Sequence, residues 1–323
     1  MKRFRKILVH VDGDDGGAEA LARAVDLADR NRGTITVVSV MRPPSELFGL
    51  PLDGPTIGSL QAALREQREV HVAHMVEPHR SRVDLQVKLL EGTPFLEVIR
   101  EVVRGGHDLV IKPPEDVEWV DRILGSDDMH LLRKCPCPVW MNKATAPRRY
   151  RAILAAVDVD QGDTVATSNA KHALNRLILE LASSLAESMR AELHVAHVWS
   201  APNEDDMRSG LVQLTEDQVD AYVSGVRDDR QQRLDDLLAE LRSAKPGQGE
   251  IEQHLIKGVP EKVIPLLARL AEIDLLVMGT VARTGVPGLI VGNTAEMILS
   301  QISCSVLAVK PPGFATPVQA KDE

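Results

Sequence analysis

A glycine-rich segment near the C-terminus contains the residue types best suited to chemistry. It runs from Met278 to Glu296 and holds four glycines within fourteen positions after a predicted strand. Such glycines let the backbone turn sharply and approach a ligand, with amide groups free to face an anion. Asn293 or Thr294 can cap the helix predicted to follow, whose N-terminus offers unpaired N–H groups and a partial positive charge. The residues alone predict either a phosphate-binding loop or a flexible connection to a capped helix.

Other clusters give weaker signals. His130, Cys135 and Cys137 are zinc-ligand types, but Cys-Pro-Cys has no second matching pair and stands before an apolar strand, which favours structural thiols. His71 and His74 lie one turn apart on a predicted helix, and this spacing favours a solvated face. Neither a Ser-His-Asp nor a paired-carboxylate arrangement can be argued from spacing. We therefore predict no metal site, no catalytic residues and no acid–base enzyme.

Length and composition limit the class of protein. A chain of 323 residues is long enough for two domains, and its apolar runs fall short of a membrane span. A net charge of −9 and 3% aromatic residues disfavour binding to nucleic acid. The basic start is followed by a short apolar run and then aspartates, which favours a first strand over a signal peptide. Three cysteines suit a reducing compartment, so we predict a cytoplasmic protein without nucleic-acid or membrane partners.

The chain repeats itself once. The segment from Arg5 to Asp12 is matched by the segment from Arg151 to Asp158, each an apolar strand that ends on aspartate. Four more matches follow in the same order, pairing residues 34–40 with 192–198, 91–94 with 257–260, 108–111 with 274–277, and 137–139 with 304–306. The repeat predicts two copies of one domain, over residues 1–146 and 147–323.

In each copy, short β-branched runs alternate with longer segments of helical period. This alternation predicts an α/β fold, with a parallel sheet covered by helices on both faces. The second copy has about twelve extra residues after its first strand, because Asp12 to Thr34 spans 22 positions and Asp158 to Glu192 spans 34. The insertion, near residues 161–173, is either a lid or a longer loop.

The glycine-rich segment resembles the nucleotide loop of the universal stress protein family. ATP-binding members of that family show Gly, two residues, Gly, nine residues, then Gly followed by Ser or Thr. Gly279, Ala282 and Gly292 fall on the three glycine positions with the spacing intact. Two positions depart from the pattern: Ala282 replaces a glycine, and Asn293 stands where Ser or Thr is usual, with Thr294 adjacent.

The resemblance covers nearly the whole chain and is greatest to the tandem, two-domain branch. It implies two doubly wound parallel-sheet domains of the Rossmann-like, adenine nucleotide alpha hydrolase-like type. It also implies that Asp158 and Val198 hold the adenine and ribose side of a ligand, with Met278 beside the base. From the residues alone, Asp158 is equally a turn residue at a strand end. Arg283 is either a phosphate partner or a solvated cation.

The first copy departs further from the family pattern. Alignment of Asp108 with Asp274 places Pro113 and Asp116 where the second copy has Gly279 and Ala282. Pro113 removes an amide donor, and a run of acidic residues would repel phosphate: Glu115, Asp116, Glu118 and Asp121. We expect that this half does not bind ATP in the family manner.

The resemblance thus implies a stress-response protein that binds ATP, or AMP or ADP, with or without Mg²⁺, and signals through unknown protein partners. Family dimers pack through their final strands, which implies an intrachain pseudo-dimer with residues 137–142 and 304–310 in contact; a further homodimer stays open. We expect at most slow ATP hydrolysis, because no general base or Walker-type lysine is evident. The alternative is a non-nucleotide stress scaffold or a carrier of an apolar small molecule, and an ATPase or nucleotidyl-transfer enzyme is a third hypothesis.

Overall fold

A computed structural model describes residues 4–11, 15–42, 54–115, 127–209, 214–247, 249–280 and 292–319. Within these ranges strands and helices alternate along the chain, and nearly all neighbouring strands are parallel. This confirms the predicted α/β class. The chain divides into two units by packing. The first unit comprises Met1–Arg148, Thr280–Val291 and Ser305–Glu323, and the second comprises Arg149–Gly279 and Gly292–Cys304.

The elements of the first repeat follow the predicted order. They are β1 (Lys6–His10), α1 (Asp15–Asn31), β2 (Thr34–Met41), α2 (Gly54–Val76), a short 3₁₀ helix (Glu77–His79), β3 (Asp84–Glu91), α3 (Pro94–Gly105), β4 (Leu109–Lys112), α4 (Asp127–Lys134) and β5 (Val139–Met141). Strands β1 and β4 lie at the centre of the sheet and are almost wholly buried apolar runs, as expected where helices cover both faces.

The elements of the second repeat are arranged in the same way. They are β6 (Ala152–Ala156), α5 (Val165–Met189), β7 (Glu192–Trp199), a short helix α6 (Glu204–Arg208), α7 (Glu216–Ala244), β8 (Ile251–Lys257), α8 (Pro260–Leu270), β9 (Leu275–Gly279), α9 (Asn293–Leu299) and β10 (Ser305–Val309). Prolines begin α3 and α8, and the preceding Gly92 and Gly258 have φ of 142° and 154°, values that favour glycine.

Strand β10 packs with the first unit, although it is the last strand of the second repeat. The sheet of the first unit runs β3-β2-β1-β4-β5-β10, and β10 is antiparallel to β5, with Leu307 opposite Trp140. The contact predicted between residues 137–142 and 304–310 is therefore present. Packing and sequence repeat divide the chain differently, so the boundaries 1–146 and 147–323 stay a prediction about the repeat.

The sheet of the second unit runs β9-β6-β7-β8, and each of its strand pairs for which a register is known is parallel. The chain winds outward from β6 through β7 to β8, then returns to place β9 on the other side of β6. In open parallel sheets, ligands bind beyond the carboxyl ends of the strands at such a reversal. The reversal between β6 and β9 is therefore the expected position of a site.

Most of the insertion in the second repeat forms helix. Helix α5 begins at Val165, so residues 165–173 are its first turns, and α5 has 25 residues where α1 has 17. Thr164 is the N-cap, and its side chain accepts a hydrogen bond from the Thr167 N–H while Thr167 reciprocates. This capping box begins the helix early, so the insertion lengthens the helix as well as the connection that precedes it, and the lid stays a prediction. In the part of the chain that the structure describes, no helix has the length and apolar character of a membrane span.

Candidate functional site

The carboxyl edge of the second unit brings together four of the residues predicted from sequence. Asp158 follows β6, Val198 lies at the end of β7, and Met278 and Gly279 end β9. Parallel pairing places Ala156 beside Met278 on one side. Because the carboxyl ends of parallel strands meet at one edge, these residues lie around the β6–β9 reversal. Ala282 and Arg283 lie outside the described residues.

Asp158 is held by its own chain. Its Oδ1 accepts a hydrogen bond from the Asp160 N–H at 3.0 Å, the arrangement of an Asx turn, and its Oδ2 lies 2.7 Å from Lys171 Nζ. Its carboxylate is about half exposed. The structure therefore gives Asp158 the role of a turn residue, with an ion pair that a ligand at this position would meet.

Asn175 fixes the backbone of the same turn, and the sequence analysis did not identify it. The Asp158 N–H donates to Asn175 Oδ1 at 3.1 Å, and Asn175 Nδ2 donates to the Asp158 carbonyl at 2.7 Å. The side chain of Asn175 is buried on α5. An amide that binds both groups of one residue leaves neither unsatisfied, which stabilises the strand end against water. An asparagine in a helical apolar stretch was the available signal.

Asp160 is a second acidic residue on the same turn. Arg230 Nε donates to Asp160 Oδ1 at 2.5 Å, and His197 Nε2 lies 3.7 Å from the same oxygen. His197 and the Arg230 guanidinium hold the pKa of Asp160 below its ordinary value. His197 also contacts the Val157 carbonyl through Nδ1 at 3.2 Å. The segment after β6 is thus anchored to β7 and α7.

Val198 and Met278 are buried at 8% and 4% exposure. At these two strand ends the chain therefore offers backbone groups, and not side chains, to a ligand. Contact between the Met278 side chain and a base would require a local rearrangement.

Gly279 lies in close contact with α5. A Cβ at this position would lie 2.7 Å from Leu174 Cδ2, so the missing side chain leaves space for α5. In the first repeat the large residue is at the strand end and the glycine is on the helix. Pro113 stands in place of Gly279, and a Cβ on Gly16 of α1 would lie 2.8 Å from Pro113 Cβ. The glycine predicted to approach phosphate therefore has a structural reason of its own.

The start of α9 differs from the prediction. Gly292, with φ −61° and ψ 137°, is the N-cap, and no side-chain hydrogen bond caps the helix. Asn293 and Thr294 lie inside the first turn with exposed side chains, so the prediction that one of them caps the helix was wrong. Glycine is tolerated at an N-cap because it adopts the extended backbone readily. The first-turn N–H groups have no partner within the helix.

The same edge of the first unit is occupied by an ion pair. The Lys112 ammonium, with a side chain 2% exposed, is bound to the Asp128 carboxylate and lies 3.8 Å from Glu115 Oε1. Asp128 Oδ2 also accepts from the Glu115 N–H at 2.9 Å. The repeat places Met278 and Ala295 where the first unit has Lys112 and Asp128. Of the predicted acidic loop, Asp116, Glu118 and Asp121 lie outside the described residues.

The cysteines agree with the prediction of thiols. Cys135, Cys137 and Cys304 are free, and the Sγ atoms of Cys135 and Cys137 lie 3.6 Å apart. His130 stacks on Phe95, with ring centroids 4.6 Å apart. His71 and His74 are exposed, as predicted for a solvated face.

The family model and the most similar proteins that were compared all belong to one family. The model of the universal stress protein family matches residues 3–143 and 149–310. The chain is 30% identical to Universal stress protein E of Escherichia coli K12, over 100% of this chain and 99% of that protein. It is also 30% identical to the Universal stress protein E homolog of Haemophilus influenzae, over 96% and 98% of the two chains.

Solved structures show the same fold. A functionally unknown protein from Pseudomonas aeruginosa PAO1 matches with a TM-score of 0.63 at 25% identity, covering 96% of this chain and 94% of that one. A universal stress protein from Archaeoglobus fulgidus matches with a TM-score of 0.60 at 17% identity, covering 95% and 98%. The two family matches along one chain, together with full-length relatives, show that this chain belongs to the universal stress protein family as a tandem member.

Proposed function

We propose that this protein acts in the stress response by binding an adenine nucleotide, with ATP as the first candidate, at the carboxyl edge of its second unit. The observation that carries the proposal is the contrast between the two edges. In the first unit the Lys112–Asp128 ion pair fills the strand reversal, whereas the second repeat has Met278 and Ala295 at those positions. The second edge therefore lacks an ion pair at these two positions, and the Asp158–Lys171 pair that it does hold is partly exposed.

The anion-binding part of the proposed site is the start of α9. Gly292 carries no side chain that would shield the first-turn N–H groups, and Asn293 and Thr294 present exposed polar side chains beside them. Such a helix end favours negative charge. Because Leu174 takes the space beside Gly279, we place the phosphate contact at the start of α9; Ala282 and Arg283, the other predicted site residues, lie outside the described residues.

The base and ribose side of the proposed site is the turn after β6. Asp158 Oδ2 and Lys171 Nζ are the polar groups available there, and both are partly exposed. The backbone end of β7 at Val198 is the second surface for the base. A nucleotide that engages Asp158 must compete with Lys171, which favours modest affinity. Lys171 can then serve as a phosphate or ribose partner, and Mg²⁺ would be carried by the phosphates.

The proposed output is a signal to protein partners and not catalysis. Asp158 and Asp160, the carboxylates of this turn, are each engaged by a cation: Lys171 and Arg230, respectively. A general base must reach the attacking water in a usable protonation state, which these ion pairs oppose. We therefore propose slow hydrolysis at most, and a cytoplasmic protein whose nucleotide state is read by others.

Calorimetry with ATP, ADP and AMP, each with and without Mg²⁺, tests the proposal on the full chain. The parent should bind one equivalent, and Gly292→Glu should abolish binding because it places a carboxylate at the helix end where phosphate is expected. Gly125 aligns with Gly292 in the first repeat and lies outside the described residues, and Gly125→Glu is the matched control. It should leave binding unchanged.

Each outcome has a different meaning. Absence of binding by the parent would reject the nucleotide proposal in favour of a scaffold or an apolar carrier. Loss of binding in Gly125→Glu, with Gly292→Glu unaffected, would move the site to the first unit. Two bound equivalents would show that the Lys112–Asp128 pair does not close the first edge.

A further inference from the structure

Three metal-ligand side chains converge on two neighbouring strands of the second unit. His194 of β7 pairs in register with Glu252 of β8, and His254 lies two residues further along β8. Residues two apart on a strand face the same side of the sheet, so all three side chains share one face. They lie near the amino-terminal ends of these strands, away from the carboxyl edge where the nucleotide is proposed.

The ligand atoms of this cluster are close to one another. His194 Nδ1 lies 3.0 Å from His254 Nε2 and 3.4 Å from Glu252 Oε2, and His254 Nε2 lies 3.7 Å from Glu252 Oε1. The two imidazole rings are nearly parallel, with an interplanar angle of 10°. Among the residues that the structure describes, these three form the group of His, Cys, Asp or Glu side chains that lies close enough together to hold a metal ion.

These separations match the edges of a coordination tetrahedron. With metal–nitrogen and metal–oxygen bonds of about 2.0–2.2 Å, tetrahedral angles place neighbouring ligand atoms about 3.3–3.6 Å apart. The His194–His254 distance of 3.0 Å and the two distances to Glu252, 3.4 Å to Oε2 and 3.7 Å to Oε1, are close to that range, and one ligand atom from each residue lies within 4.8 Å of the other two. We propose that His194 Nδ1, His254 Nε2 and one oxygen of Glu252 form a site for a divalent transition-metal ion of the zinc class.

The ligand types select the metal. Two imidazoles and one carboxylate suit Zn²⁺, Ni²⁺, Cu²⁺ or Co²⁺, whereas Mg²⁺ and Ca²⁺ prefer oxygen ligands alone. Three protein ligands leave one coordination position for water or an exogenous group. His254 is mostly buried and Glu252 is exposed, so the ion would reach the cluster from the surface along Glu252.

A fourth side chain, that of Glu192, lies where a hydrogen-bond partner of a metal-ligating histidine is expected. His194 is buried, and its Nε2 has no hydrogen-bond partner among the described residues, although the exposed Glu192 holds an oxygen 3.8 Å away. A histidine that ligates a metal through one nitrogen commonly donates its other N–H to a carboxylate. A small movement of Glu192 would complete that arrangement and fix the tautomer of His194.

The first repeat does not share the cluster. The same register positions hold Thr36, Gln86 and Lys88. Gln86 Nε2 donates to Thr36 Oγ1 at 2.8 Å, and Lys88 Nζ donates to Glu101 at 2.7 Å. These polar groups satisfy one another, and an ammonium replaces an imidazole. The metal site therefore belongs to the second unit alone.

Zinc titration of the reduced full-length chain at neutral pH tests the site, with visible absorption of Co²⁺ as a second readout. The parent should bind Zn²⁺ at this site and give the d–d bands of Co²⁺ bound to nitrogen. His254→Gln should weaken the affinity by more than about 100-fold, since loss of an outer-shell partner alone costs about 10–100-fold. Glu252→Gln should weaken the affinity by at least about 10-fold, and because the Glu252 side chain is exposed we expect this variant to fold like the parent.

His172→Gln is the matched control. His172 Nε2 lies 3.2 Å from Glu240, an exposed His–Glu pair on the same unit without a second imidazole. The variant should bind Zn²⁺ like the parent, and the three cysteines, unchanged in every variant, give a common background. Circular dichroism verifies the fold of each variant. Parent-like affinity in both His254→Gln and Glu252→Gln, or no zinc binding by the parent, overturns the proposal and leaves the short His–His contact as a shared hydrogen bond.

Discussion

The two units use the same strand framework and differ in how its edges are filled. At the carboxyl edge of the first unit, Lys112 and Asp128 neutralise each other in a buried pair, while the second repeat has Met278 and Ala295 there. A buried pair that is satisfied internally needs no external partner, whereas a helix end whose first-turn N–H groups have no partner within the helix favours an anion. The comparison shows that two substitutions change the charge at the end of the fourth strand in one copy of the fold.

A second difference concerns bulk rather than charge. The first helix of each repeat packs against the end of the fourth strand, and a glycine lies on one side of that contact. In the first repeat Gly16 of α1 faces Pro113, whereas in the second Gly279 faces Leu174 of α5. The larger residue changes sides between the repeats, and a glycine faces it each time, as close packing requires. A glycine motif can therefore arise from packing as well as from ligand approach.

Asp128→Ala is the strongest test of the comparison at the carboxyl edge. It removes the carboxylate bound to Lys112, whose side chain is 2% exposed, and leaves Glu115 Oε1 3.8 Å away, so the free energy of unfolding should fall by about 3 kcal/mol. Urea denaturation measures the change.

The double variant Lys112→Met/Asp128→Ala copies the second repeat into the first and is the control. Removal of both charges should restore most of the lost stability, because an apolar pair has no desolvation cost. If the double variant is no more stable than Asp128→Ala, the charges are not what closes this edge. The same variant also shows whether an uncharged first edge begins to bind nucleotide.

Two lysines at matched positions beyond the final strands of the repeats test the comparison through the pH dependence of stability. Lys310 and Lys143 both stand six positions after a matched cysteine, but Lys310 is buried and Lys143 is half-buried. Lys310 donates to the Leu132 carbonyl and to Thr280 Oγ1, the latter at 2.7 Å. Burial lowers the pKa of Lys310 from 10.5 to about 7.

The sign of the pH effect follows from proton binding. Between a pH of about 7 and 10.5 the unfolded chain holds the Lys310 proton and the folded chain does not, so stability rises with pH. The stability contributed by the neutral lysine therefore decreases as pH falls across this window and is fully lost below a pH of about 7. Lys310→Met should reduce the slope of unfolding free energy by up to about 1.4 kcal/mol per pH unit in this window. Lys143→Met is the control, and equal slopes in Lys310→Met and the parent would contradict the burial argument.

Because Gly279 and Leu174 face each other at this contact, substitutions at the two positions should have coupled effects on stability. Gly279→Val places a Cβ 2.7 Å from Leu174 Cδ2, and the unfolding free energy should fall by about 1–3 kcal/mol. Addition of Leu174→Ala should recover part of the loss, with a coupling energy of about 0.5–3 kcal/mol in a double-mutant cycle. Strict additivity would mean that Gly279 is not there for α5.

Much of the fold followed from the sequence, because the five matched segments and the alternation of periods define parallel strands and their order. The candidate site was harder to predict. Asp158 could be placed at a strand end from the pattern, but its binding by Asn175 and Lys171 depends on an insertion that forms helix. His194 and His254 are 60 residues apart, and only strand register brings them together. Gly279 was predicted to approach a ligand, and its close contact with Leu174 of α5 could not be predicted from the sequence.

The smallest effect tests why α5 is longer than α1. The Thr164–Thr167 capping box begins α5 ahead of Lys171, the residue that pairs with Asp158. Thr164→Ala should cost about 1 kcal/mol and let the first turns fray, since it removes the side chain that accepts from the Thr167 N–H. Hydrogen exchange of residues 165–173 measures this directly and should be faster in the variant, while Thr164→Ser, which keeps the hydroxyl, should match the parent. Unchanged protection in Thr164→Ala would mean that packing against β6 and β9, and not the cap, holds the added turns that distinguish the second repeat from the first.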